Sequence, residues 1–278
     1  EEIKIEVQNI KNTGARTPHL AAVLVGNDGA SLTYVGSKVR SCEKVGFEST
    51  LIHLDENISE DNLISEINKL NDNDQIDGYI VQLPLPKHIN EEKILMMVNP
   101  KKDVDGFHPF NFGKMAQNMD SFIPATPQGI IELIERYDID TEGKNTVVIG
   151  RSNIVGRPIS ILMSNKSKPG NSTVTLVHSR TPDIPSFTKK ADIIIVALGI
   201  PNFLKSDMIK QGSVVIDVGI TRVEDKTKNK GYRIVGDVDF ESVKTKVSYI
   251  TPVPGGVGPM TIATVSYTHL RAHETRPN

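Results

Sequence analysis

Four polar positions in the first half of the chain have residue types that carry acid–base or binding chemistry. Tyr34 and Lys38 stand four apart in ASLTYVGSKVRSCEKVG (30–46), a segment at helical spacing, so they share one helix face. A phenol and an amine both serve proton transfer when a pocket desolvates them, whereas on a surface the same pair is decoration. Gln82 closes the apolar strand in DGYIVQLPLP (77–86), where a parallel sheet opens onto its ligand crevice. Asp103 and Asp105 flank Val104, so in an extended segment both point one way. One of them suits the N–H donors of an amino-substituted heterocycle; the alternative is an Asx turn into Gly106.

The second half is organised by VVIGRSNIVGRP (147–158), an apolar strand, a glycine turn at Gly150 and a helix opened by Gly156 and Pro158. Strand, glycine turn and helix together present backbone N–H groups to a phosphate. The turn reads G-R-S-N-I-V-G, with Ser152 in the middle-glycine place of a dinucleotide fingerprint, so the match is partial. An ordinary βα turn is the alternative. The next strand, TVTLV, ends in His178-Ser179-Arg180, without the acid that usually binds the ribose 2′-hydroxyl in an NAD site. With Arg151 nearby, those donors match a 2′-phosphate and favour NADP. Ala197, Gly199 and Gly219 end later strands, where small residues admit a ribose or nicotinamide or simply terminate the strand. PVPGGVGPMT (252–261) offers bare backbone in the same way.

These groups are positioned by alternating strands and helices. HLAAVLVG (19–26) is a strand, followed by the helix over 30–46 with Ser31 as its N-cap. STLIHL (49–54) follows, then a helix from Ser59 with Leu63, Ile64, Ile67 and Leu70 on one face. The strand in 77–86 leads to a short helix from Glu91 to Val98, and 101–114 reads as a loop. Thr126-Pro127 form the N-cap and first position of a helix from Gln128 to Tyr137, which marks the domain boundary. Further strands are expected near 145–150, 173–178, 192–198 and 213–218, with helices around 156–166 and 203–210. RVEDKTKNKGY (222–232) is a solvated hairpin, and apolar stretches at 234–239 and 248–259 close the series. This rhythm is that of an α/β protein with parallel sheets covered on both faces.

Bulk properties narrow the partners. The 278 residues are 38% hydrophobic and 24% charged, as in a globular protein. A net charge of -2 gives no reason to expect nucleic acid, and no run is long and apolar enough to span a bilayer. The single Cys42 excludes an internal disulfide and fits a reducing, cytoplasmic compartment. The sequons at Asn57 and Asn171 are read as chance. The chain opens inside a helical pattern without an initiator Met, and SYTHLRAHETRPN (266–278) is polar and aperiodic, so it is expected to be a non-native tail. His269 and His273 have metal-ligand spacing but lie in that tail with no Glu between them, and no metal is expected.

Six segments in order, YVGSK (34–38), VQLPLP (81–86), KDVDGF (102–107), PATPQG (124–129), VVIGRSNIVGRP (147–158) and PGGVGPMT (254–261), resemble the methylenetetrahydrofolate dehydrogenase/cyclohydrolase family over nearly the whole stretch from His19 to Thr261. The resemblance implies two βα domains flanking a cleft. Residues 1–125 would be a folate-binding catalytic domain with an incomplete N-terminus, and 126–255 a Rossmann-like NADP-binding domain with a mainly parallel sheet. Residues 256–265 would return toward the first domain.

By the same resemblance Lys38 is the catalytic lysine, Tyr34 stacks on or orients the folate, and Gln82 tunes the lysine, with Leu83 beside it in the substrate set. Asp105 holds the pterin ring. Gly255, Gly256 and Gly258 form the folate-side loop. Thr126, Gly150, Arg151, Ser152, Ile154 and Ser179 contact NADP, with Ala197, Gly199, Ile220 and Thr261 near its nicotinamide end. The implied activity is oxidation of 5,10-methylenetetrahydrofolate with NADP and hydrolysis of the methenyl product to 10-formyltetrahydrofolate, in one-carbon metabolism, by a homodimer. Two alternatives stay open: an NADP-binding protein whose truncated termini impair catalysis, and a dehydrogenase of another small substrate.

Overall fold

The computed structural model describes residues 2–228 and 231–274, which divide into two units: one up to Ala125 together with the stretch from Ile262 onward, the other Thr126–Thr261. The first unit holds α1 (Glu2–Asn12), β1 (His19–Val25), α2 (Gly29–Val45), β2 (Glu48–Leu54), α3 (Glu60–Asp72), β3 (Gly78–Val81), α4 (Glu91–Met97) and α5 (Pro109–Ala116). Its sheet has the order β2-β1-β3, all parallel. The central strand β1 is apolar throughout because both of its faces are covered. Ala21, Val23 and Val25 pack with Leu63 and Ile67 of α3 and Ile94 of α4. The alternate residues Leu20, Ala22 and Leu24 pack with Val7, Val35 and Cys42 of α1 and α2.

After α6 (Ala125–Arg136), the second unit runs β4 (Asn145–Ile149), α7 (Gly156–Ser164), β5 (Thr173–Val177), α8 (Ile184–Thr188), β6 (Ile193–Val196), β7 (Val214–Asp217), β8 (Thr221–Glu224), β9 (Tyr232–Val235), α9 (Phe240–Val243) and β10 (Tyr249–Ile250); α10 (Val257–Glu274) follows. The five-stranded sheet has the order β10-β7-β6-β4-β5, all parallel, and β8 and β9 pair as an antiparallel hairpin. In both sheets the first strand in sequence lies between the second and the third, so the chain reverses its winding there. Ligands bind outside the carboxyl ends of the strands at such a point. It falls between β1 and β3 in one unit, and between β4 and β6 in the other.

Local chemistry differs from the sequence expectation at several ends. Asp28, not Ser31, caps α2: its carboxylate accepts the Ser31 N–H at 2.8 Å. A helix starting at Ala125 puts Thr126 and Pro127 inside its first turn rather than at its cap. The expected loop over 101–114 contains α5, where His108 accepts the Phe110 N–H through Nδ1 and Pro109 supplies a helix-ready φ. Around 203–210 only a single 3-10 turn forms, Ser206–Met208, and α8 was not foreseen.

The largest departure is at the C-terminus. Residues expected to be a polar, non-native tail outside the fold continue α10 through Glu274, and Leu270 and Ala272 are buried with the first unit's core. His273 lies 3.2 Å from Asp77, the carboxylate that Arg16 also grips; the side chain of His269 is outside the described residues. No group of three or more His, Cys, Asp or Glu able to hold a metal occurs among the described residues. Truncating Leu270, which is 1% exposed, to Ala should cost about 2–5 kcal/mol by chemical denaturation. An unchanged midpoint would mean that the end of α10 does not pack as described.

Candidate functional site

In the first unit, α2 begins just after the carboxyl end of β1 and carries Tyr34 and Lys38. Its cap at Asp28 and the left-handed Gly46 fix both ends of the helix, while Val35 and Cys42 bury its inner face. Lys38 is drawn into the unit with them. Its Nζ lies 3.4 Å from Asp105 Oδ1 and 4.8 Å from the centre of the Tyr34 ring, and the lysine is only 4% exposed. The ammonium therefore has a carboxylate on one side and an aromatic face on another. Burial, and then the charge of Asp105, raise the Tyr34 phenol above its ordinary range. A phenol held protonated is a wall and a hydrogen-bond donor, not a base.

Asp103 and Asp105 have different surroundings. Asp105 pairs with Lys38, whereas Asp103 accepts the N–H groups of Phe107 and His108 and the Asn111 amide. The turn that follows Asp105 needs Gly106: its φ is +67°, and a Cβ there would come within 2.8 Å of the Phe122 carbonyl oxygen. Gln82 follows β3 directly, but its amide donates to the Leu83 carbonyl at 2.6 Å. No hydrogen bond joins Gln82 to Lys38 among the described residues. The structure thus gathers Tyr34, Lys38 and Asp105, and keeps Gln82 and Leu83 bonded within their own loop.

In the second unit, the turn after β4 is bare backbone for steric reasons. Gly150 has φ +118°, and a Cβ on it would lie 2.2 Å from the Ala197 carbonyl oxygen at the end of β6. A Cβ on Gly156 would lie 2.0 Å from the Gly150 carbonyl oxygen. Ser152 stands where a second glycine was sought. Its Oγ accepts the Val155 and Gly156 N–H groups at 3.2 Å, which caps the opening of α7 and leaves the hydroxyl hydrogen to donate. Ile154 is exposed beside it.

After β5, the Arg180 N–H donates to His178 Nδ1, so in the neutral ring the proton sits on Nε2. That Nε2 faces Arg151 Nη1 at 3.5 Å, and Ser179, the next residue in the chain, is exposed. Arg151 and His178 thus stand side by side after β4 and β5.

The remaining positions stand on two buried acids that belong to no sequence motif. Asp237 Oδ2 accepts the Leu198 and Gly199 N–H groups at 2.6 and 2.9 Å. Asp217 accepts N–H from Gly219, Asp237 and Val238, and burial pushes it up to about 6. Gly219 and Gly236 let these carboxylates approach, since a Cβ on either would strike Asp237 or Asp217. An acid at a strand end is the only local signal of this arrangement, and nothing in the sequence pairs the two. Thr261 donates to Thr126 Oγ1 at 3.1 Å, and the open side of Gly258 faces the exposed Ile220. Gly255, at φ +112°, turns the chain toward α10.

The catalytic-domain model of tetrahydrofolate dehydrogenase/cyclohydrolase matches residues 1–105, and the NAD(P)-binding-domain model of the same family matches residues 124–276. The chain belongs to the tetrahydrofolate dehydrogenase/cyclohydrolase family. It is 67% identical over 275 residues to the bifunctional protein FolD of Flavobacterium johnsoniae, which covers 99% of this chain and 93% of that one. The crystal structure of the bifunctional FolD methylenetetrahydrofolate dehydrogenase/cyclohydrolase from Campylobacter jejuni superposes with a TM-score of 0.93 at 47% identity, over 99% of this chain and 94% of that one. A Trypanosoma brucei family member, solved with NADP cofactor and inhibitor, gives 0.92 at 35% identity, over 98% and 92%.

Gly150 combines a positive φ with a carbonyl oxygen in the place of its Cβ. Gly150→Ala should destabilise the second unit by more than about 1 kcal/mol, seen as an earlier denaturation midpoint. A wild-type midpoint would show that the β4 and β6 ends are not in contact.

Proposed function

We propose that the buried Lys38 amine, held between Asp105 and Tyr34, is the proton carrier of a bifunctional folate enzyme. The chain oxidises 5,10-methylenetetrahydrofolate to the 5,10-methenyl form with NADP, and hydrolyses the methenyl form to 10-formyltetrahydrofolate. The observation that carries this reading is the 3.4 Å approach of Lys38 Nζ to Asp105 Oδ1 in a buried setting.

NADP fits the donor set of the second unit, because Arg151 and the Nε2–H of His178 converge where a 2′-phosphate needs cationic and neutral donors. When bound, NADP supplies the hydride acceptor. The bare backbone at Gly150, the free hydroxyl hydrogen of Ser152 and the start of α7 hold its phosphates, and Ser179 joins Arg151 at the 2′-phosphate. Ala197, Gly199, Ile220, Thr126 and Thr261 serve the nicotinamide side, with Ile154 covering the turn. Asp237 keeps the Leu198 and Gly199 peptide groups in place.

In the hydrolytic step, water adds to the cationic amidinium carbon. With Lys38 in its neutral amine form beside the cationic substrate, Nζ takes a proton from the added water, becomes the ammonium, and delivers that proton to the departing ring nitrogen as the carbon–nitrogen bond breaks. Asp105 steadies the ammonium while it holds that proton, and Tyr34 offers its ring face. Gln82 and Leu83 fix the loop beside the folate through their own hydrogen bond. The single, buried Cys42 suits a reducing cytoplasm, and the family resemblance supports a homodimer. No described helix is long and apolar enough to cross a membrane.

Lys38→Met should lower methenyl hydrolysis by at least about 10²-fold while NADP binding persists; wild-type hydrolysis rates would refute the assignment. Arg151→Ala should weaken NADP roughly ten- to hundredfold and leave NAD nearly unchanged, by titration calorimetry. An equal loss for both cofactors would remove Arg151 from the 2′-phosphate.

A further inference from the structure

We propose that Asp103 is a positioning residue: its buried carboxylate gathers the chain from Phe107 to Asn111 into a clamp that aims Asp105 at Lys38. The proposal rests on the reading of Lys38 and Asp105 given above. Asp103 is 4% exposed and accepts three donors, the Phe107 N–H at 3.2 Å on Oδ1, and the His108 N–H at 2.9 Å and the Asn111 amide at 2.8 Å on Oδ2. The Asn111 amide also donates to the Pro100 carbonyl, so the clamp closes over both ends of the 100–111 segment.

The base of the clamp is fixed independently. Residue 103 bridges to Tyr79 of β3, and the Tyr79 N–H donates to the Lys102 carbonyl at 3.0 Å. Lys102 Nζ donates to the carbonyls of Leu70 and Asn73 at the end of α3. The Cβ of a residue replacing Gly78 would lie 2.3 Å from Val104, so the segment sits hard against the sheet. Asp105 is thus the one acid of the segment free to turn toward α2.

The groups around Asp103 explain why its charge state matters. Tyr79 and Asn111 are neutral, the like-charged Asp105 is two residues away, the His108 ring accepts the Phe110 N–H, and no cation pairs with Asp103 among the described residues. An ionised carboxylate held only by neutral donors loses acceptor capacity when it is protonated. Burial pushes Asp103 up to about 7, against the Asn111 and backbone hydrogen bonds that favour ionisation. The clamp is therefore tight above that pH and loosens below it.

The test is steady-state methenyl hydrolysis from pH 5.5 to about 9, with NADP affinity measured alongside as a check that the chain is folded. Wild-type kcat/KM should fall as pH drops through about 7. Asp103→Asn should lower kcat/KM at high pH roughly tenfold or more and erase that limb, with NADP affinity unchanged. Asn111→Ala, which removes one donor from the carboxylate, should move the limb to higher pH, and it decides the matter if Asp103→Asn does not fold. Asp105→Asn serves as the control for the underlying site. If Asp105→Asn loses activity while Asp103→Asn and Asn111→Ala keep the wild-type rate and profile, the positioning role is overturned. If Asp105→Asn itself keeps full hydrolysis, the assignment of Asp105 falls, and the clamp with it.

Discussion

Burying an ammonium is the constraint on which the first unit depends. Removing Lys38 from water costs several kcal/mol, and the carboxylate that offsets this must itself be buried and correctly aimed. A buried ion pair is thus weak evidence for stability and better evidence for chemistry. The surrounding structure holds its geometry. β1 carries no polar side chain after His19 and anchors α2, α2 is capped at both ends, and the 100–111 segment is tied to β3 and α3 before it releases Asp105. Tyr34 completes the setting with a phenol that stays protonated.

The second unit solves a different problem, that of presenting backbone to an anion. Its means are steric. Gly150 and Gly156 are glycine because carbonyl oxygens occupy the space where side chains would begin. Ser152 shows why a strict glycine fingerprint is unnecessary. Its hydroxyl oxygen satisfies two N–H groups at the opening of α7, a capping role glycine cannot fill. In the proposed reading, selectivity for the phosphorylated cofactor rests on Arg151 after β4, with His178 and Ser179 at the end of the neighbouring strand. The two units share a strand order at the switch point and differ in what they place there.

Much of this was legible in the sequence, for physical reasons. Fully buried parallel strands are continuous apolar runs, so HLAAVLV, TVVI and IIIV announce themselves. Residues that act through spacing along one helix, such as Tyr34 and Lys38, are equally visible. What escaped were features fixed by distant partners. Asp103 and Asp105 look alike in KDVDGF, and only their contacts separate a loop clamp from a site acid. The Asp217 and Asp237 pair leaves no motif. The end of α10 hid its periodicity because Ser266 and Thr268 are buried with their hydroxyls bonded to the carbonyls four residues back, so buried positions read as polar.

Family membership and geometry meet in one claim: this chain performs two successive folate reactions, with NADP as oxidant for the first. The most direct measurement is an absorbance time course of the folded chain with 5,10-methylenetetrahydrofolate, run with NADP and with NAD. The account predicts a methenyl signal that rises faster with NADP and then decays as 10-formyltetrahydrofolate forms. No methenyl signal with either cofactor, from a sample shown to be folded, would contradict it.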